Sequence, residues 1–236
     1  MADQPLERPI DLLDLAPSPN GTKPAGRTSR AQWVYETLRA AIHRHHFTHG
    51  DRIREEDVAR SLGVSRTPVR EALSRLQSRG LLEMAPGGLV IAALARPQIM
   101  ELYAMREILE GSAARFAALK ASQAEIDSLY RIHEAFDRAR ESAPRMAQVN
   151  RDFHQGIYEA GHNRYLMRTL DELHDALTLL PSTTFTVTGR PVTALAEHGA
   201  ILDAINARDA DRAESLARDH IAHALKARLE LMFSYA

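Results

Sequence analysis

The stretch Leu62-Gly63-Val64-Ser65-Arg66-Thr67-Pro68-Val69-Arg70-Glu71-Ala72-Leu73 constrains this chain more than any other. Gly63 permits the positive φ of a tight turn. Ser65 is a residue type that caps the orphan N–H groups of a following helix. Pro68 falls in the first helical turn, where its missing N–H costs little. Val69, Leu73 and Leu76 then recur at helical spacing, which predicts an inward face. Arg66 and Arg70 are four apart and share the opposite edge. A turn followed by a helix with spaced arginines near its N-terminus has the makings of a helix that reads the DNA major groove.

The flanking sequence fits the same reading. A first helix is expected over about 29–46, with Val34, Leu38 and Ile42 as its apolar stripe and Gly50-Asp51 as its break. A short second helix carries Val58, Ala59 and Leu62. Beyond Gly80, the segments Leu81–Met84, Ala85–Gly88 and Leu89–Ile91 read as strand, turn and strand, the ribbon of a wing. Residues 29–95 are therefore expected to form a winged helix-turn-helix. Residues 1–28, with Pro5, Pro9, Pro17, Pro19 and Pro24, are expected to form a flexible arm. The formal net charge is −1, so binding to nucleic acid has to come from a local patch. One exists: between Ser65 and Arg79, four arginines (66, 70, 75, 79) face Glu71 alone, a net of +3.

After Ala95-Arg96-Pro97 the apolar pattern is helical to the end, with six helices expected at about 97–118, 122–142, 145–160, 163–180, 191–207 and 210–233. Ser122-Gln123-Ala124-Glu125 is a capping box that opens the second of these. The fold class is mainly α: an N-terminal winged helix-turn-helix followed by a C-terminal antiparallel helical bundle over 96–236. The chain has no cysteine, which excludes disulfides and thiolate metal sites. Its longest apolar run, Leu89–Ala95, is far below the ~20 residues of a membrane span. The N-terminus lacks the basic-then-apolar order of a signal peptide, so a cytoplasmic protein with no membrane partner is expected.

The LGVSRTPVREAL segment resembles the recognition helix of the GntR-type bacterial transcription regulators. The second half resembles the FadR C-terminal ligand-binding domain, in its shorter six-helix, VanR-like form. That likeness rests on Glu101-Leu102-Tyr103 through Arg106, Leu109-Glu110, Asn150-x3-His154, Gly161-x-Asn163-x2-Leu166, Glu197-His198 with Ile201, and His220. The resemblance implies a homodimer on a double-stranded operator. Arg66 and Arg70 would take guanine O6 and N7. It further implies that Ser65 contacts phosphate, that Thr67 contacts a base or phosphate, and that Gly87 enters the minor groove at the wing tip. Arg75 and Arg79 are expected to steer, to contact phosphate or simply to solvate the helix end. Some relatives carry arginine where this chain has Glu56, which implies an altered operator preference.

Asn150 and His154 are i and i+4 on one helix, and His198 and His220 fall on the apolar stripes of two later helices. Three imidazoles meeting in a bundle core suit a divalent metal, and the resemblance implies a site of Asn150, His154, His198 and His220 for zinc, nickel or manganese. Asn150 stands where the family commonly has aspartate, which implies a less anionic site. His133 and His174 are read as core histidines. The cluster His43, His45, His46 and His49 is read as the C-terminal complement of a helix dipole. Arg106 lies on the stripe of Ile99, Leu102, Leu109, Ala113 and Phe116. It needs a partner there: either Glu110, one turn on, or the carboxylate of a small effector. The expectation is a metabolite-responsive regulator, a repressor by resemblance, that binds a small organic acid at a metal and is not an enzyme. A metal-sensing regulator and a metal-dependent enzyme are the alternatives.

Overall fold

The computed structural model describes residues 27–180 and 182–234. In chain order it contains α1 (Arg27–His43), α2 (Glu55–Ser61), α3 (Arg66–Ser78), β1 (Leu82–Ala85), β2 (Gly88–Ile91), α4 (Arg96–Lys120), α5 (Gln123–Arg138), α6 (Ala143–Ala160), α7 (Arg164–Thr178), a 3-10 turn at Thr184–Thr186, α8 (Arg190–Asn206) and α9 (Ala210–Ser234). The arm expected over 1–28 lies outside the described residues, apart from Arg27 and Thr28, which begin α1. Two compact units result. The first holds the described residues of Met1–Leu94 and Asp175–Pro181; the second holds those of Ala95–His174 and Ser182–Ala236.

In the first unit, Val34, Leu38 and Ile42 of α1 are buried with Val69, Leu73 and Leu76 of α3, Leu81 and Ile91. Each full burial of such a side chain contributes roughly 1.5–3 kcal/mol. Leu179 joins this core from far along the chain. β1 and β2 pair antiparallel in the register Leu82↔Ile91 to Ala85↔Gly88, and Gly87 closes the turn at φ 99°. The α1 helix ends at His43, three residues earlier than expected. The chain turns there through Arg44 to His46, with His45 at φ 55°. Ser65 has the extended backbone of an N-cap, yet its side chain makes no capping hydrogen bond.

In the second unit, α9 packs along α4 and α8, while α5 packs on α6 and α8. Small residues permit the close approach of α4: Ala113, Ala114, Ala117 and Ala118 are buried with Ala213 and Ala217 of α9. The expected capping box is present: Ser122 Oγ accepts from the Glu125 N–H, and Glu125 accepts from the Ser122 N–H at 2.7 Å. α6 opens two residues earlier than expected because Ser142 caps Arg145 N–H, with Pro144 in the first turn. No helix among the described residues is long and apolar enough to cross a membrane.

Candidate DNA-reading face and histidine centre

Gly63 adopts φ 59° between α2 and α3, as the turn requires. Pro68, Val69, Ala72, Leu73 and Leu76 are buried, which leaves Arg66, Thr67 and Arg70 exposed at the N-terminal end of α3. Both arginines converge on one carboxylate. Arg66 Nη2 lies 3.1 Å and Arg70 Nη2 2.9 Å from Glu55 Oε2, and Arg70 Nε donates to Glu55 Oε1 at 2.9 Å. Arg66 Nη1 is also 3.0 Å from Glu56 Oε1. The bonds from Arg70, then those from Arg66, hold the Glu55 carboxyl below its ordinary value. Residue reasoning missed Glu55, which stands eleven positions before Arg66 and fifteen before Arg70, too far for a local spacing to pair them.

Arg75 is engaged with α1: its guanidinium sits 4.1 Å over the Tyr35 ring and donates to Gln32 Oε1 at 2.7 Å. At the wing tip, Arg52 donates to Pro86 O at 2.8 Å and fills the space beside Gly87, where a Cβ would collide with the Arg52 guanidinium. Arg52 thus places a cation at the tip, a contribution that nothing in the local pattern announced.

The structure brings His154 of α6, His198 of α8 and His220 of α9 together. One nitrogen from each lies within 4.8 Å of the others, and among the described residues this is the group that could hold a metal. His154 Nε2 and His220 Nε2 are 3.3 Å apart. Two nitrogens each about 2.0–2.1 Å from a tetrahedral ion are separated by about that distance. The other nitrogens meet carboxylates. His220 Nδ1 lies 2.7 Å from Glu197 Oε2, and His154 Nδ1 is 2.8 Å from Glu110 Oε2, an approach poorly aligned for a hydrogen bond. Such partners fix the Nδ1–H tautomer and aim the Nε2 lone pair at the centre. Arg190 Nη2 is also 3.3 Å from His220 Nδ1, but a guanidinium only donates. The shorter contact to Glu197 decides the tautomer.

His198 is fully buried, stacked on Phe153 with ring centroids 4.2 Å apart, and neither of its nitrogens has a partner. The Asn150 Oδ1, one turn before His154, is likewise buried without a partner. Each such orphan costs about 1–3 kcal/mol unless something absent from the polypeptide satisfies it. Burial, then the neighbouring His220 and His154, push the His198 imidazole well below its ordinary range; burial, His154 and Arg190 do the same to His220. Neutral imidazoles with free lone pairs are metal ligands, so the residues present fit a divalent ion. His133, by contrast, bonds Leu195 O at 3.0 Å in the way of a core histidine.

Arg106 is buried and donates to Glu110 Oε1 at 2.7 Å, with its guanidinium 4.7 Å over the Tyr103 ring. Burial opposes ionisation of Glu110, but Arg106 and then His154 outweigh it and hold the carboxyl well below its ordinary range. One carboxylate thus spans the arginine and the histidine centre. A cavity of about 10 Å³ lies beside it, lined by Glu110, His154, Tyr158, Ile201 and His220. That volume holds about one water-sized occupant. Arg190, buried in the first turn of α8, donates to Glu197 Oε2 at 2.7 Å. Sequence reasoning missed Arg190 and the role of Glu197; their seven-residue spacing on one face of α8 was the available signal.

Residues 30–90 match the family described as "Bacterial regulatory proteins, gntR family", and residues 101–223 match the FCD domain. The chain is 31% identical over 206 residues to the "Probable D-xylose utilization operon transcriptional repressor" of Paenarthrobacter nicotinovorans, covering 85% of this chain and 89% of that one. It is 28% identical to the HTH-type transcriptional regulator YdhC of Bacillus subtilis (strain 168), covering 80% of this chain and 86% of the relative. The fold is shared with Escherichia coli McbR/YncC at a TM-score of 0.75 and 20% identity, over 89% of this chain and all of that one. A winged helix-turn-helix with its arginine-bearing helix, joined to a helical effector domain, places this chain in the GntR family of bacterial transcription regulators, in the branch that carries an FCD domain.

Proposed function

We propose that this regulator binds operator DNA as a homodimer and responds to a small organic acid recognised beside a divalent metal in its helical unit. The observation that carries the reading is His198, buried with both nitrogens unpartnered and facing His154 and His220. His154, His198, His220 and the Asn150 oxygen would hold the ion. When bound, it would supply a Lewis-acidic position for an anionic oxygen. Arg106 would take the acid's carboxylate in exchange for Glu110. An arriving anion therefore changes the partner of a buried residue on α4, the differential contact that an effector response needs. Thr67, Arg66 and Arg70 would read bases, with Ser65, Arg75 and the wing tip at Gly87 contacting backbone or groove.

Two observations support the remaining parts. Met105, Ile108 and Leu119 are 44%, 47% and 58% exposed and fall within roughly 60° on α4, an apolar strip suited to a second copy. A two-fold pair of α3 helices would then meet a pseudo-palindromic operator. A relative named as a repressor favours repression as the mode of control.

The test is metal analysis of untagged protein, wild type and His198→Ala, followed by operator titrations with a panel of small carboxylic acids. About one metal per chain, lost in the variant, together with one acid that shifts DNA affinity, is the expected result. No metal in either protein would overturn the reading. The size of the cavity favours a second reading, in which the ion itself is the signal; DNA affinity would then follow metal alone, with no acid adding to it.

A further inference from the structure

Asp175 lies in the last turn of α7, eighty-one residues beyond Leu94, yet it counts with the DNA-reading unit. Its side chain is fully buried. Oδ1 accepts from Arg39 Nε at 2.6 Å and lies 2.8 Å from His43 Nε2. Oδ2 is 2.7 Å from Arg79 Nε in an ion pair off the hydrogen-bond angle. Arg39 and His43 are one turn apart on α1, and Arg79 is the C-cap residue of α3. One carboxylate therefore clamps the C-terminal end of the reading helix to α1. Leu179, one turn further on, is buried in the same core.

We propose that Asp175 is a positioning residue for operator reading: it fixes the angle of α3 against α1, and the DNA-reading head is complete only when residues 175–180 are in place. The lever is long. The 13 residues of α3 span about 20 Å, so a tilt of about 10° at the anchored end displaces Arg66 by about 3 Å at the other. A bidentate contact to a base edge does not survive such a shift. Contacts to phosphate, being less directional, survive it better. Loss of Asp175 therefore damages discrimination more than general attraction to DNA.

The experiment uses the full chain and two duplexes: the strongest one the wild type selects from a random library, and a scrambled control of equal length. In Asp175→Asn, affinity for the selected duplex is expected to fall at least tenfold, while that for the control changes less than threefold. Arg79→Gln keeps Asp175 and its α1 partners, so it covers the case in which Asp175→Asn does not fold; it should show the same selective loss. The double variant should be no worse than the worse single one. An unchanged ratio of selected to control affinity in Arg79→Gln, or additive losses in the double variant, would overturn the assignment. So would equal losses on both duplexes, which report a merely unstable head.

Discussion

Replacing Glu110 by glutamine tests the buried centre most directly. Glu110 is 4% exposed and accepts from Arg106, itself buried, while a second oxygen lies against His154. Glutamine keeps the shape and removes the charge, which leaves Arg106 without a counter-ion in a buried site. Breaking a buried pair from one side costs about 3–5 kcal/mol. At roughly 2–4 °C per kcal/mol for a chain of this size, the melting temperature should fall by roughly 6–20 °C. Differential scanning calorimetry of wild type and Glu110→Gln reads this directly. Glu110→Ala adds a second readout, because it empties the space where a carboxylate sat against Arg106. Formate or acetate at about ten times its dissociation constant should restore about 1.4 kcal/mol to that variant, and chloride at equal ionic strength should not. A loss below 2 °C in Glu110→Gln would refute the argument that Arg106 depends on this carboxylate. A variant that formate and acetate do not stabilise would refute the claim that Arg106 accepts a carboxylate from solution.

Arg70→Ala should weaken binding to a selected operator by roughly 10–100-fold and relax base preference at one position of each half-site, checked by fluorescence anisotropy on single-base variants. Glu56→Gln should tighten DNA binding by about two- to fivefold at low salt and steepen the salt dependence, since an exposed carboxylate 3.0 Å from Arg66 no longer competes with phosphate; weaker binding would refute that competition. Asp175 supplies a pH signature. Burial raises its carboxyl pKa, but His43, Arg39 and Arg79 outweigh burial and hold it below its ordinary value. A depressed folded-state value stabilises above the unfolded pKa of about 3.9 and loses that contribution as pH falls through the folded one. The stability gap between wild type and Asp175→Asn, of about 3 kcal/mol because Arg39 and Arg79 are a quarter exposed, should thus be present at pH 5 and above and close below pH 4 in denaturant titrations.

What the sequence disclosed follows the range of the interactions involved. The turn at Gly63, the buried stripe of Val69, Leu73 and Leu76 and the box at Ser122 are signals contained within a few residues, and all are present. His154, His198 and His220 were also legible, because each sits on an apolar stripe where an imidazole is out of place. Partnerships across the chain were not. Asp175 reaches Arg39 over 136 positions, and His220 reaches Glu197 over 23; no periodicity encodes either. Glu55 lay in view but carried no sign that two arginines would fold back onto it. The end of α1 shifted for a local reason, since His45 adopts a left-handed conformation that stops the helix early.

The late arrival of residues 175–180 in the DNA-reading head has a consequence on the ribosome. At roughly 5–20 residues per second, some 4–16 s pass between synthesis of Leu94 and of Asp175. During that interval Arg39 and Arg79 lack the carboxylate they share in the finished fold, and the surface that Leu179 will cover stays open. A nascent or prematurely terminated chain therefore exposes an unfinished head that competes poorly for operators. Only products that carry most of their sensor gain a set reading helix. The same order of assembly means that heads exchanged between relatives by cutting near residue 95 leave one of their own core residues behind.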